Sequence, residues 1–274
     1  MRHYYPVLSI AGSDSSGGAG IQADIKTISA LGCYAMTAIT SLTAQNTTGV
    51  RSVMPVAPAV VADQIDMVFE DIPPLAVKIG MLCNAGVAEV VADRLEHYRP
   101  VNLVVDPVMV STSGARLLEE DAVKIMLERI FPLATLVTPN LREAEALTGQ
   151  EAPEPQAHTL GLFGARNVLI KGGDSPDTDF KTDLLYLDFS HEAFNLRADA
   201  VDTPNTHGTG CTLSSAIACY LALGYDLKDA VSQGKLYVTK ALEAGAFVTT
   251  GRGHGPVNHF FAPRHLKNFN PRTH

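Results

Sequence analysis

Residues 101–109 read Val101-Asn102-Leu103-Val104-Val105-Asp106-Pro107-Val108-Met109, and this stretch decides the fold class. Its apolar residues fall on nearly successive positions. A strand with one face in water alternates; a strand covered on both faces does not, and burial on both faces is typical of parallel sheets flanked by helices. The same texture recurs at 6–11, 35–42, 76–81, 135–138 and 167–171, which together with 102–108 are the expected strands. Longer amphipathic runs lie between them at 21–31, 57–69, 86–98, 119–131 and 141–147. Strand–helix–strand repetition implies an α/β fold with crossovers and a mostly parallel sheet. The rhythm breaks at 183–197, where 183–187 and 193–196, joined by a polar turn, fit an antiparallel hairpin. Two helices, 211–223 and 227–247, close the chain.

No linker or repeat divides the sequence. Residues 151–157 are the only Pro-rich patch and read as a loop. The expectation is one domain over residues 1–274. Ligands of such sheets bind outside the carboxyl ends of the strands. Gly12-Ser13-Asp14, Gln45, Asp106, Asn140 and Lys171-Gly172-Gly173 all fall at those ends.

Apolar residues make up 46% and charged residues 18%, which suits a globular chain with a large core. Net charge is −8 without a basic tract, which argues against nucleic acid as a partner. No apolar run reaches the ~18–20 residues of a membrane span. Residues 1–6 lead into a strand-like run without a signal-peptide pattern. The cysteines, Cys33, Cys83, Cys211 and Cys219, form no CxxC pair and no metal-ligand spacing, as expected of reduced thiols in a cytoplasm. Residues 263–274 read as a polar, frayed tail.

Chemistry concentrates in Asn205-Thr-His-Gly-Thr-Gly-Cys-Thr-Leu-Ser-Ser215. A glycine-rich turn, Gly208-Thr209-Gly210, runs into a small-residue apolar helix. The first turn of a helix has unpaired N–H groups and a partial positive charge, so it attracts anions. Glycines allow close approach. Cys211 sits in that turn, where a thiolate is favoured; the plainer alternative is a tight turn before a core helix, with an inert cysteine. His207 adjoins the same turn.

Other positions admit two readings each. Gly18-Ala-Gly20-Ile-Gln-Ala23 loosely matches a dinucleotide pattern, but its glycines lie past the strand and no acid ends the second strand; it is not a P-loop either. A glycine loop over a small-molecule site, or a surface loop, fits it. Gln45 has an amide able to pair with an aminopyrimidine edge, as glutamine does with adenine. Asp24 is either a ligand group or a first-turn acid favoured by the helix dipole. Asp106 is placed for Mg²⁺ or its waters, or is a strand-end acid. Residues 110–114 look like a mobile loop. Asn140 with Glu143 has capping-box spacing, or Glu143 joins a Mg²⁺–nucleotide water network. Lys171 places a charge on a phosphate, or is solvated before a turn. Lys235 reads as a solvated helix lysine.

Taken together the motifs resemble the hydroxymethylpyrimidine/phosphomethylpyrimidine kinases of the ribokinase-like superfamily. The carriers are 11–24, Ala44-Gln-Asn46, Lys78-Ile-Gly-Met81, Asp106-Pro-Val-Met109, Thr138-Pro-Asn140 with Glu143, Leu169-Ile-Lys-Gly-Gly173, Asn205–Cys211 and Gly253-His-Gly-Pro-Val-Asn-His259, in order along nearly the whole chain. The resemblance implies a three-layer α/β/α sandwich. It implies an ATP- and Mg²⁺-dependent kinase that phosphorylates 4-amino-5-hydroxymethyl-2-methylpyrimidine and then its monophosphate, for thiamin assembly. By resemblance, Asp24 and Gln45 hold the pyrimidine, and Met81 and Val108 contact its ring. Gly208, Thr209, Gly210 and Cys211 form the anion hole, with Cys211 near the accepting hydroxyl as a candidate base. Asp106 and Glu143 serve Mg²⁺. Lys171 lies near the transferred phosphoryl group, and Asn140, Thr206, Gly208 and Gly210 complete the nucleotide side. A homodimer is also implied. Two departures stand out: 150–163 is shorter than the family's usual helical segment, and Asp174 stands where histidine is common. The competing readings are a pyridoxine or pyridoxal kinase, an NAD-dependent oxidoreductase, and a non-catalytic nucleotide- or pyrimidine-binding protein.

Overall fold

A computed structural model describes residues 2–109, 119–187 and 191–270. The chain runs β1 (His3–Tyr4), β2 (Pro6–Asp14), α1 (Gly20–Ala30), β3 (Tyr34–Asn46), β4 (Gly49–Pro55), α2 (Pro58–Asp71), β5 (Ala76–Ile79) and α3 (Ala85–Tyr98). It continues through β6 (Leu103–Val105), α4 (Glu120–Ile125), β7 (Leu136–Val137), α5 (Leu141–Thr148), α6 (Pro153–Leu162), β8 (Asn167–Ile170), β9 (Phe180–Leu187), β10 (Glu192–Asp199), α7 (Thr209–Ala222), α8 (Leu227–Gly245) and β11 (Asn268–Phe269). The expected loop at 110–114 lies outside the described residues. Among the described residues no helix is long and apolar enough to cross a membrane.

Nine strands form one sheet in the order β10-β9-β8-β7-β6-β5-β2-β3-β4. The strands from β8 to β3 in that order pair in parallel. Antiparallel β4 closes one edge and the antiparallel pair β9–β10 closes the other. Alternation of side chains along the strands splits the apolar residues between two cores. Leu8, Ile10, Val77, Ile79, Leu103, Val105, Val137, Val168 and Ile170 pack on the side of α2 to α6. Val7, Ala76, Val104, Leu136 and Leu169 pack on the side of α1, α7 and α8. Both faces are covered, which is why these strands read as continuous apolar runs, and the architecture is the expected three-layer α/β/α sandwich.

Four expectations need correction. Residues 153–162 form a helix, not part of a loop. Pro153 stands in its first turn, where a missing N–H removes nothing. Fully buried Gln156 anchors it, donating from Nε2 to the carbonyls of Gln150 at 2.9 Å and Leu141 at 3.1 Å. Within the described residues, which end at Asn270, the tail is tied down: β11 pairs with β1, and Phe269 packs 4.8 Å from the Tyr5 ring. β4 had no counterpart in the expected elements, because Arg51 to Pro55 are exposed and carry no core pattern. The helix expected over 119–131 is regular only to Ile125; a wider π turn (Met126–Ile130) and a 3₁₀ turn containing Pro132 complete it.

Gln156→Ala removes the donor to the Leu141 and Gln150 carbonyls and should cost about 0.5–1.5 kcal/mol per hydrogen bond of unfolding free energy in urea titration. A change below about 0.5 kcal/mol would show that the segment does not depend on this anchor.

Candidate active site

Every parallel strand delivers its carboxyl end to one cavity of about 830 Å³. Of the expected site residues, Gln45, Met81, Val108, Asp106, Asn140, Glu143, Lys171, Thr206, Gly208, Thr209, Gly210 and Cys211 all line it. Asp24 does not. It is fully buried behind the wall, and its oxygens accept from Lys78 Nζ at 2.9 and 3.0 Å, Ser9 Oγ, and Ser215 Oγ at 2.8 Å. The first-turn reading fails as well, since α1 has no acid in its first turn. Asp24 is the counter-ion of Lys78, a cavity residue to which the sequence assigned no role. Burial opposes the charge on Lys78, and Asp24, joined by Cys211 and Asp106, outweighs it and holds the ammonium above its ordinary value.

The polar end of the cavity is built around the start of α7. Gly208, at φ 81°, is in the left-handed region that opens this helix, and a Cβ there would lie 1.9 Å from the Gly18 carbonyl oxygen. Gly210 leaves space beside Lys171: a Cβ would sit 3.3 Å from Nζ. Lys171 Nζ bonds Asp106 Oδ1 at 2.6 Å and lies 3.8 Å from Glu143 Oε2. Asp106 also accepts from Ser214 Oγ of α7 at 3.2 Å. The ends of β6 and β8 and the first turns of α5 and α7 therefore meet at one cation and two carboxylates.

The capping-box reading of Glu143 is borne out. It closes a capping box with Asn140, each side chain bonding the other's backbone N–H at 2.8 Å. Its carboxylate also faces Lys171. Burial pushes it up to about 7, Lys171 opposing and Asp106 reinforcing. Cys211 reverses an expectation. Burial pushes its thiol up to about 11; Lys78 and the Gly20 N–H pull the other way, while Asp24 and Asp106 add to the rise. The helix N-terminus does not yield a ready thiolate here.

The cavity wall packed against the start of α7 is shaped by the loop after β2. Asp14 accepts from the N–H groups of Ser16 (2.8 Å), Gly18 (3.1 Å) and Ala19 (2.8 Å), and from His207 Nε2 at 2.8 Å. Burial works against its charge, but His207, Ser16 and Ala19 hold the carboxyl well below the usual range. Ser15 Oγ donates to the Gln45 carbonyl at 2.7 Å and accepts from its N–H at 2.9 Å. A register shift in the β3–β4 pairing between Ala44 and Gln45 re-aims the Gln45 side chain. Met81 and Val108 give the cavity apolar walls.

Further lining residues were missed. Lys235, read as solvated, is only 12% exposed and bonds Asp183 Oδ2 at 2.8 Å, while Asp183 Oδ1 accepts from the Gly172 N–H. Ala198, Val201, Val238 and Leu242 form an apolar patch on the same side. These residues come from the hairpin and α8, and no local pattern links them. Among the described residues no cluster of three or more His, Cys, Asp or Glu could hold a metal ion.

Residues 14–258 match the family described as phosphomethylpyrimidine kinase. The chain belongs to that family. It is 49% identical over 267 residues to the thiamine biosynthesis bifunctional protein ThiED of Geobacter sulfurreducens, covering 95% of this chain and 53% of that protein, so it spans about half of its length. It is 48% identical to the hydroxymethylpyrimidine/phosphomethylpyrimidine kinase of Rhizobium meliloti, covering 92% of this chain and 96% of that one. The pyridoxal kinase of Staphylococcus aureus in complex with AMP-PCP and pyridoxal is 34% identical, with a TM-score of 0.85 over 94% of each chain. Phosphomethylpyrimidine kinases thus share this architecture with kinases of another ring, and family membership makes the chain a kinase rather than an oxidoreductase.

A thiol held near 11 is almost wholly protonated at neutral pH. Cys211 in the unliganded protein should react slowly with iodoacetamide at pH 7.5, its rate rising about tenfold per pH unit to a plateau near 11. Mass spectrometry of the Cys211 peptide reads the rate; a plateau below pH 8 would contradict the assignment.

Proposed function

We propose that this chain is an ATP- and Mg²⁺-dependent kinase that phosphorylates 4-amino-5-hydroxymethyl-2-methylpyrimidine and then its monophosphate, with residues 1–274 acting as one domain. The single observation that carries this is the shared cavity: Gln45, the Gly208–Cys211 turn and Lys171 all line it. The curated relatives and the continuous sheet support it too. Family likeness adds a homodimer working in the cytoplasm, without a nucleic-acid partner.

The residues fit both absent groups. The open face of Gly210 toward Lys171 leaves room for a phosphate, which a Cβ would fill. Asn140, Thr206, Gly208 and Gly210 would hold the phosphates, and the patch of Ala198, Val201, Val238 and Leu242 suits a nucleotide base. Mg²⁺ takes one or two carboxylates and completes its shell with water and phosphate. Asp106 and Glu143 offer that pair. The metal, when bound, would shield the phosphate charge.

Phosphoryl transfer is governed by positioning and charge stabilisation. The N–H groups of Gly208, Thr209 and Gly210 and the Lys171 ammonium would stabilise charge on the transferred group. Gln45, Met81 and Val108 would orient the ring. Cys211, protonated at neutral pH, would hold the accepting hydroxyl in line. Asp24 contributes through Lys78 rather than by touching the ring. In the second step the acceptor is an ionised phosphate and needs no base.

A second reading has a specific basis, the likeness to pyridoxal kinase. An ATP-consumption assay with Mg²⁺ and the hydroxymethylpyrimidine, its monophosphate or pyridoxal as acceptor decides between them. Turnover with both pyrimidines, at least tenfold above pyridoxal in kcat/KM, is expected. Faster turnover with pyridoxal would reassign the chain to phosphorylation of that ring.

A further inference from the structure

The hydrogen bonds around the Gln45 amide are over-determined in a way that bears on selectivity. Its terminal nitrogen lies 3.4 Å from His207 Nε2, and its terminal oxygen lies 3.1 Å from Thr43 Oγ1. Asp14 is ionised and accepts at 2.8 Å from His207 Nε2, so that ring nitrogen carries a proton. Nitrogen facing nitrogen there sets two donors against each other. The Thr43 hydroxyl has one proton, and the Ser13 carbonyl oxygen, at 2.8 Å, takes it. Oxygen facing Thr43 therefore sets two acceptors against each other.

A half-turn of the amide removes both conflicts. The oxygen then lies near the His207 Nε2 proton as a second, longer acceptor beside Asp14, and the nitrogen donates to Thr43 Oγ1. Each group keeps capacity for the cavity: the amide nitrogen has a second proton, and the oxygen a second lone pair. We propose that Thr43 and His207 hold the Gln45 amide in this turned orientation, and so make the pocket selective for a ring that presents an adjacent amino donor and ring-nitrogen acceptor. This rests on the functional reading above. Both are positioning residues that act through Gln45. The His207 contact is long and works as an electrostatic match; Thr43 supplies the full hydrogen bond. The amino group of the ring lies toward His207 and its ring nitrogen toward Thr43. Pyridoxal presents no amino group beside its ring nitrogen and gains nothing from the fixed register.

Thr43→Val and Thr43→Ser separate the hydroxyl from the shape of the side chain. Steady-state kinetics with the hydroxymethylpyrimidine, with pyridoxal and with ATP varied in turn provide the readout. Thr43→Val should raise the pyrimidine KM about five- to tenfold and lower the preference over pyridoxal by the same factor. Its kcat and ATP KM should stay within about twofold, and Thr43→Ser should match the unmodified chain. Unchanged pyrimidine KM in Thr43→Val, or an equal loss in Thr43→Ser, would overturn the proposal. Absence of pyrimidine turnover by the unmodified chain is a different result, which overturns the functional reading and this inference with it.

Discussion

The buried ion pair between Lys78 and Asp24 is the constraint around which the site is assembled. Lys78 comes from β5 and Asp24 from α1; Ser9 of β2 and Ser215 of α7 bond the same carboxylate. Four elements are thereby fixed relative to one another on one side of the sheet. Both side chains are completely inaccessible. Two charges so placed gain little net stability from their attraction, because desolvation consumes most of it. What they impose is a penalty on any packing that separates them. The start of α7 is therefore held in place at the cost of two desolvated ions, with the Lys78 ammonium behind the Cys211 thiol.

The same logic operates at the phosphate end with a looser outcome. Lys171 is shared by Asp106 and Glu143, and Glu143 is pushed up to about 7 because burial and Asp106 outweigh Lys171 there. One cation and two carboxylates are thereby clustered beside the start of α7. Beside it the Asp14 carboxylate gathers the loop after β2 and His207 onto one centre.

Much of this was legible in the sequence, for physical reasons. Strands covered on both faces have no alternation to hide, so 101–109 and its counterparts declared themselves, although β6 proper is only Leu103–Val105, after which the chain turns. The glycine turn at 208–210 was legible because only a helix start needing close approach combines those residues. Residues whose roles depend on distant partners were not. Asp24 looked like a ligand or a dipole acid because nothing near it in sequence announces Lys78. Lys235 looked solvated because Asp183 lies on another element. Residues 151–157 looked like a loop because proline usually breaks helices, yet at the start of α6 it breaks none, and the Gln156 anchor is a tertiary feature. The thiol of Cys211 was misjudged because helix-end polarity is readable in sequence whereas burial beside Asp24 and Asp106 is not.

The most direct test of the clamp is a pair of unfolding measurements. Lys78→Met leaves a buried carboxylate without its cation, and the predicted loss is about 3–5 kcal/mol. Adding Asp24→Asn removes the orphaned charge, so the double variant should recover at least half of that loss while activity stays impaired. A double variant no more stable than Lys78→Met alone would contradict the account, because the two side chains would then not be acting on each other.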